Sequence, residues 1–236
     1  MQQQKPSRFK SEILDIIKLT ENVKHIKINV PKDFSFIPGQ YVSIIMDNPK
    51  NGIKLRRPFS IVSLPKEAKN GYIELCIKII KNGNITLKID KLKKGDKIEC
   101  LGPLGSFKIS ESSKEKNIIF ISTGVGIAPF KSMIPAVLKN QEDNHKNKII
   151  LLTGYKNEEK ILYDNYFKEL EKKYKNFNYY IALSEKKVRV QSLIEKHFDK
   201  NADYYICGLK DMVSSVNMLL LKKGIPGKNI FIEKYD

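Results

Sequence analysis

Arginine is scarce in this chain. It occurs only at Arg8, Arg56, Arg57 and Arg189, although lysine is abundant throughout. Two of the four stand side by side in LRRPFS, ahead of Pro58, Phe59 and Ser60. A guanidinium is a planar fork of donors suited to phosphate or carboxylate oxygens, each charge-assisted hydrogen bond contributing about 1.5–3 kcal/mol net. Pro58 fixes its own φ and biases Arg57 toward extended backbone. The two-residue repeat of a strand then puts Arg57 and Phe59 on one face and Ser60 on the other. The segment offers an anion clamp, a stacking ring and a hydroxyl. It also fits a plain strand whose arginines lie in solvent.

Two further fragments carry the materials of an anion site. In NGNIT, just after Ile77 and Lys78, Gly83 and Thr86 flank Asn84 and Ile85. The N–H groups of such a turn, with the Thr86 hydroxyl, suit phosphate oxygens at a helix start; the same residues also read as an ordinary Asn-Gly turn. In STGVGIAPF, Thr123, Gly124, Gly126 and Pro129 follow a buried-strand pattern. Glycines there let backbone approach a pyrophosphate closely. Pro129 stands where the last glycine of GxGxxG would be, and a tight strand–helix turn fits these residues as well.

The elements that must position these fragments change character near residue 110. Before it, ILDIIKL, HIKINV, QYVSIIM, YIELCIKII and KIECLG are short, β-branched and separated by turn residues, which predicts an antiparallel barrel or sandwich. ISESSKEKN, residues 109–117, reads as a polar link. After it strands and helices alternate: NIIFIST, APFKSMIPAVLK, KIILLTG, EKILYDNYFKELEKKY, NYYIALS, VQSLIEKHF, ADYYICG, KDMVSSVNMLLLKKG and NIFIEKY. That order predicts a parallel sheet covered by helices, with ligands beyond the carboxyl ends of the strands. Ile161, Leu162, Tyr166, Phe167 and Leu170 are expected on one helix face, Gly224 as a helix stop, and Pro135 as a kink or a delayed helix start.

Composition narrows the classes. With 236 residues and 41% hydrophobic content the chain can build one large or two modest cores. The polar MQQQKPSRFK lacks the apolar stretch of a signal peptide, and no apolar run approaches the ~20 residues of a membrane span. Cys76, Cys100 and Cys207 form no CxxC or cluster pattern, and His25, His145 and His197 are isolated, so no metal site is expected. The expected setting is the reducing cytoplasm and the expected state a monomer. The net charge of +17 suits an anionic partner. The lysines are nevertheless spread along the chain, as a composition biased toward Lys, Asn and Ile produces. No basic motif interleaved with aromatics is present, and nucleic acid is not expected.

Seven segments, in order, resemble the ferredoxin–NADP⁺ reductase superfamily: FIPGQYV, RRPFS, CIKII ahead of NGNIT, GPLGSF, STGVGIAPF, YICGLKDM and the terminal IEKYD. The resemblance implies an N-terminal antiparallel β-barrel domain for FAD, residues 1–110, and a C-terminal α/β parallel-sheet domain for NAD(P), residues 111–236. By the resemblance Arg57, beside Pro58, holds the FAD pyrophosphate, Phe59 stacks on the isoalloxazine and Ser60 lies near its N5. Many relatives carry Tyr where this chain has Phe59. Gly83 and Thr86, with the backbone of Asn84 and Ile85 after Ile77 and Lys78, match a second phosphate grip, which favours FAD over FMN. Thr123, Gly124, Gly126 and Pro129 match the turn for NADP(H) or NAD(H), and Cys207 and Gly208 the pair near the nicotinamide. Leu209 and Lys210 replace the family's prolines. Glu233 and Tyr235 resemble a C-terminal Glu-x-Tyr whose aromatic covers the flavin, here followed by Asp236. Ser60, Cys207 and Glu233 form the implied catalytic set.

The resemblance implies an oxidoreductase passing electrons between NAD(P)H and a one-electron carrier. An acidic ferredoxin or flavodoxin would suit the basic surface. A reductase component for an oxygenase, a cytochrome or free flavin keeps the same site, and a non-catalytic basic binding protein is the alternative of another class. NADP-specific relatives often carry Ser-Arg where this chain has Ser184-Glu185, whose carboxylate opposes a 2′-phosphate. Lys186, Lys187 and Arg189 attract one and favour NADPH.

Overall fold

The computed structural model describes residues 5–48, 52–81, 83, 85–140 and 147–235; Asn82, Asn84, His145 and Asp236, singled out above, lie outside them. The chain divides into two compact units, Met1–Lys108 and Ile109–Asp236.

The first unit contains β1 (Ser7–Thr20), β2 (Val23–Asn29), β3 (Tyr41–Asp47), β4 (Lys54–Ser60), α1 (Pro65–Lys69), β5 (Tyr72–Lys78), α2 (Thr86–Asp90) and β6 (Lys97–Leu104). The antiparallel order is β4-β3-β6-β1-β2-β5. An antiparallel bridge between Ile61 and Leu75, with Val62 N–H donating to Glu74 O at 2.9 Å, joins the two ends of the sheet in the manner of a barrel. β1 is longer than the pattern suggested. Its first half pairs with β6 and its second with β2, with a register shift between Ile13 and Asp15. The early half is masked in the sequence because Ser11 alternates inward with Phe9 and Ile13; its hydroxyl donates to Asn29 O at 2.6 Å, which satisfies it inside. Phe9, Ile13, Ile26, Ile28, Phe34 and Ile44 are among the residues of this unit's core.

The second unit runs β7 (Ile118–Thr123), α3 (Ala128–Asn140), β8 (Ile149–Tyr155), α4 (Asp164–Lys173), β9 (Phe177–Leu183), α5 (Val190–Lys196), β10 (Asp203–Leu209), α6 (Lys210–Lys222) and β11 (Ile230–Tyr235). Its sheet is parallel, in the order β11-β10-β7-β8-β9. The expected parallel sheet with helices is therefore present, and the apolar runs IIFI and YYICG lie in β7 and β10.

Local chemistry explains where elements begin and end. α6 stops as Gly224 requires: Gly224, at φ 86, donates to Leu221 O at 2.9 Å and Ile225 donates to Leu220 O at 3.0 Å. These bonds satisfy the last carbonyls of the helix. α3 passes through Pro135 without a delayed start. Proline has no N–H for the carbonyl of Lys131, four residues back. The Tyr166 hydroxyl donates to that carbonyl from α4 at 3.3 Å. α4, in turn, starts later than its apolar spacing suggested. Tyr163 adopts φ 58, which breaks the run, so Ile161 and Leu162 precede the helix although Leu162 is buried.

Residues 109–117 are not the plain link that their polarity suggested. Ser113 is fully buried, and its hydroxyl donates to Asp203 Oδ2 at 2.7 Å and lies 2.7 Å from Tyr205 OH. Ser110 N–H donates to the same phenol at 2.9 Å, and Lys116 pairs with Asp203 Oδ1 at 2.8 Å. Burial, the main cause, raises the Tyr205 pKa, so the phenol keeps its proton. The segment is polar because its side chains meet a buried carboxylate. Replacing Asp203 by Ala removes the acceptor of Lys116 and Ser113 and is expected to cost about 3 kcal/mol. Tyr205→Phe keeps the ring stacked on Phe231, at 4.5 Å, but loses the hydroxyl; its expected cost is about 1–2 kcal/mol. Calorimetric unfolding should rank the two in that order, each kcal/mol moving the midpoint by about 2–4 °C.

Candidate active site

In the first unit, β4 is an edge strand, the position where Pro58 can replace a donor without breaking a ladder. Its register opposes Arg57 to Ile44, Phe59 to Val42 and Ser60 to Tyr41. Arg57 thus shares a strand face with Leu55 and Phe59, both packed against the core, while its guanidinium is exposed. Arg57 Nη1 donates to Arg56 O at 3.5 Å, and among the described residues no acidic side chain pairs with either arginine. Phe59 is half-buried and Ser60 is buried.

At the end of β5, Ile77 is buried and Lys78 exposed. The turn that follows is closed by its own residues. Gly83 N–H donates to Ile80 O at 2.8 Å. Thr86 Oγ1 accepts from Ile80 N–H at 3.1 Å and donates to Ile80 O at 3.3 Å. A Cβ on Gly83 would lie 2.4 Å from Thr86 Oγ1, so this glycine and this threonine are a matched pair. The sequence offered the Thr86 hydroxyl to a phosphate, but the structure engages it in the turn. Ile85 and Thr86 open α2, where helix geometry leaves N–H groups without an intrahelical acceptor.

In the second unit, the candidate residues converge at the carboxyl ends of β7, β10 and β11. Thr123 ends β7, and Gly124–Ile127 forms a 3-10 turn into α3. The two glycines of that turn have different physical reasons. Gly124 takes φ 53, and a Cβ there would meet nothing within 4 Å: this is open backbone. Gly126 is packed, because a Cβ would lie 2.3 Å from the carbonyl oxygen of Cys207. Gly208, at φ 153, leaves room for Met212 Cε and Thr123 Oγ1, which would lie 2.6 and 2.9 Å from its Cβ. Pro129 sits in the first turn of α3, where its carbonyl accepts from Ser132 Oγ at 3.0 Å. The sequence reading gave both glycines of the turn to a ligand; the structure gives Gly126 to the protein. It also missed Met212, which lies within the quoted YICGLKDM and has no charge to mark it.

The ladder register pairs Cys207 with Glu233 and Leu209 with Tyr235. Cys207 is fully buried, with Sγ 3.9 Å from Glu233 Oε2. Burial first, and the Glu233 carboxylate second, push the thiol well above its ordinary 9.0, so it is a neutral S–H at neutral pH. Glu233 and Tyr235 are half-buried. All three cysteines are buried and unbridged, and no group of three His, Cys, Asp or Glu among the described residues is placed to hold a metal.

The loops after β8 and β9 add charged residues. Glu185 N–H donates to Lys156 O at 3.0 Å. Glu185 Oε1 accepts from Asn157 Nδ2 at 3.2 Å and lies 3.6 Å from Lys156 Nζ. Lys186 Nζ contacts Glu158 Oε1 at 2.7 Å, and this hydrogen bond holds the Glu158 carboxyl below its usual range. Lys187 adopts φ 57, and Arg189 opens α5. The roles of Lys156, Asn157 and Glu158 were not visible in sequence, since they arise from two strands lying side by side.

Residues 10–109 match the family model of the oxidoreductase FAD-binding domain, and residues 120–218 that of the oxidoreductase NAD-binding domain. The reductase component DmpP of phenol 2-monooxygenase from Pseudomonas sp. strain CF600 is 28% identical over 240 residues, covering 96% of this chain. The chain spans 65% of the length of that relative and of the phenol hydroxylase P5 protein of Acinetobacter pittii. Ferredoxin–NADP reductase B of Sorangium cellulosum is 28% identical, with 87% of each chain covered. A solved mutant of the ferredoxin–NADP⁺ reductase of Plasmodium falciparum superposes with a TM-score of 0.81 at 30% identity, covering 97% of this chain and 96% of that one. The chain belongs to the ferredoxin–NADP⁺ reductase superfamily of FAD- and NAD(P)-binding oxidoreductases.

Proposed function

We propose that this protein passes electrons between NADPH and a separate one-electron carrier, with residues 1–110 holding FAD and residues 111–236 the nicotinamide dinucleotide. The observation that carries the reading is the register pair at the carboxyl ends of β10 and β11: a buried neutral thiol, Cys207, beside a carboxylate, Glu233, with the glycine turn after β7 seated on the same backbone.

The residues present fit both groups. Arg57 is an exposed guanidinium with no acidic partner among the described residues, which suits a pyrophosphate; Pro58 keeps its backbone extended, and Phe59 offers a ring on the same face. The N–H groups of Ile85 and Thr86 supply a second, uncharged grip in a turn that Gly83 closes, next to Ile77 and Lys78. Gly124 presents open backbone to the nicotinamide dinucleotide, and Thr123, Pro129 and Gly208 shape the surface around it. FAD bound by these residues would supply the exchange between the electron pair of reduced nicotinamide and single electrons. The side chains then have orienting work. Ser60 is held inside β4, Cys207 keeps its proton, Glu233 keeps a carboxylate beside that proton, and Tyr235 lies in register with Leu209.

A ferredoxin-type carrier is supported by similarity to ferredoxin–NADP reductases along nearly their whole length and by the net charge of +17. The second reading, a reductase component serving an oxygenase, is favoured by the two phenol-hydroxylase relatives. Three buried, unbridged thiols suit the cytoplasm. Among the described residues, no helix is long and apolar enough to cross a membrane. NADPH is the expected donor because Lys187 and Arg189, beyond β9, have no acidic partner among the described residues, whereas Lys186 is paired with Glu158.

The purified chain, reconstituted with FAD and desalted, should remain yellow; a colourless product would remove the basis of the reading. Arg57→Ala is expected to weaken FAD about 10- to 100-fold in fluorescence titration. Anaerobic reduction by NADPH followed by ferredoxin, flavodoxin and an oxygenase component should show fastest reoxidation by an acidic carrier, at a rate that falls steeply with ionic strength. A rate flat in salt would count against charge steering, and preference for the oxygenase would favour the second reading. Because the Cys207 thiol stays protonated, kcat/KM should show no limb below about pH 9 that Cys207→Ser removes.

A further inference from the structure

Glu185 carries the wrong charge for a nucleotide with an extra phosphate, yet it stands among the cations beyond β9. Its position resolves the conflict. The backbone N–H of Glu185 ties the loop after β9 to the Lys156 carbonyl in the loop after β8. Its carboxylate is then drawn to that neighbouring loop by Asn157 Nδ2, at 3.2 Å, and Lys156 Nζ, at 3.6 Å. The Asn157 Oδ1 is buried with no hydrogen-bond partner among the described residues, so the carboxamide meets its surroundings through Nδ2, which points at Glu185. Beside it Lys186 and Glu158 match each other at 2.7 Å. Two acids and two lysines are thus paired across the two loops. Lys187, turned by its φ of 57, and Arg189 remain with no acidic partner among the described residues.

We infer that Asn157 and Lys156 form a latch that holds the Glu185 carboxylate onto the β8 loop, and that this latch allows the chain to accept a 2′-phosphorylated dinucleotide. The inference rests on the reading that Lys187 and Arg189 meet the 2′-phosphate. Ion pairs this exposed contribute little to stability, but the latch decides where a charge points. A released carboxylate would turn against the phosphate and weaken it about threefold to tenfold. Asn157 and Lys156 are positioning residues, acting on the nucleotide through Glu185.

The test uses the full FAD-loaded chain and calorimetric titration with adenosine 2′,5′-bisphosphate and with 5′-AMP, taking the ratio of affinities. The double variant Lys156→Ala/Asn157→Ala is expected to lower the ratio about threefold to tenfold. Adding Glu185→Gln to it should restore most of the loss, while Glu185→Gln alone should change the ratio less than about twofold. In turnover, KM for NADPH should rise in the double variant with kcat unmoved. Equal effects of Glu185→Gln in both backgrounds would overturn the latch, since loss of the Lys156 charge alone is not rescued at position 185. If Lys187→Ala/Arg189→Ala leaves the ratio unchanged, the 2′-phosphate lies elsewhere, and both that reading and the latch fall; loss in this variant with additive Glu185→Gln overturns the latch alone.

Discussion

The second unit depends on one close approach: the turn after β7 rests on the backbone of Cys207. With a hypothetical Cβ at position 126 only 2.3 Å from the Cys207 carbonyl oxygen, no side chain fits there without displacing backbone. The same approach brings Thr123 beside Gly208, so the ends of β7 and β10 form one packed surface. β11 then adds Glu233 by register alone, because a parallel ladder that pairs Tyr204 with Ile230 must pair Cys207 with Glu233 three residues on. A thiol with an otherwise ordinary sequence context thereby becomes a buried neutral donor beside a carboxylate.

Charge in this molecule is organised locally. The net +17 suggests an unbroken basic coat, but many lysines have nearby partners. Lys116 meets Asp203 inside the second unit, Lys24 meets Asp90 at 2.8 Å in the first, and Lys186 meets Glu158. Arg57, Lys187 and Arg189 are among the cations that have no acidic partner among the described residues. With 43 Lys and Arg against 26 Asp and Glu, an excess of cations stays unpaired and acts over the Debye length on approaching anionic molecules.

Much of this architecture was legible in the sequence. The change from strand runs to alternating strands and helices located the two kinds of sheet, and Gly224 and LRRPFS were placed correctly on a helix stop and an extended strand. The early half of β1 was hidden because its inward Ser11 is satisfied by a backbone carbonyl that only pairing with β2 supplies. Residues 109–117 read as a link because polar side chains ordinarily face solvent, whereas a buried Asp203 supplies polar partners from far along the chain. Gly126 illustrates the same limit. Sequence shows that a glycine follows a strand, but whether it makes room for a ligand or for a carbonyl depends on which strand lies alongside. Cross-loop contacts such as Asn157 with Glu185 are set by the neighbourhood of β8 and β9, which no local pattern encodes.

The repair at Pro135 has a consequence for how this chain can drift. The proline removes one donor from α3, and the hydroxyl of Tyr166 on α4 replaces it at 3.3 Å. Loss of that hydroxyl while the proline remains removes a bond to the Lys131 carbonyl, whereas a residue with an N–H at 135 restores an intrahelical donor and releases position 166 to become phenylalanine. The order of the two changes therefore matters: a lineage can cross between the two states by altering 135 first, and meets a barrier if it begins at 166.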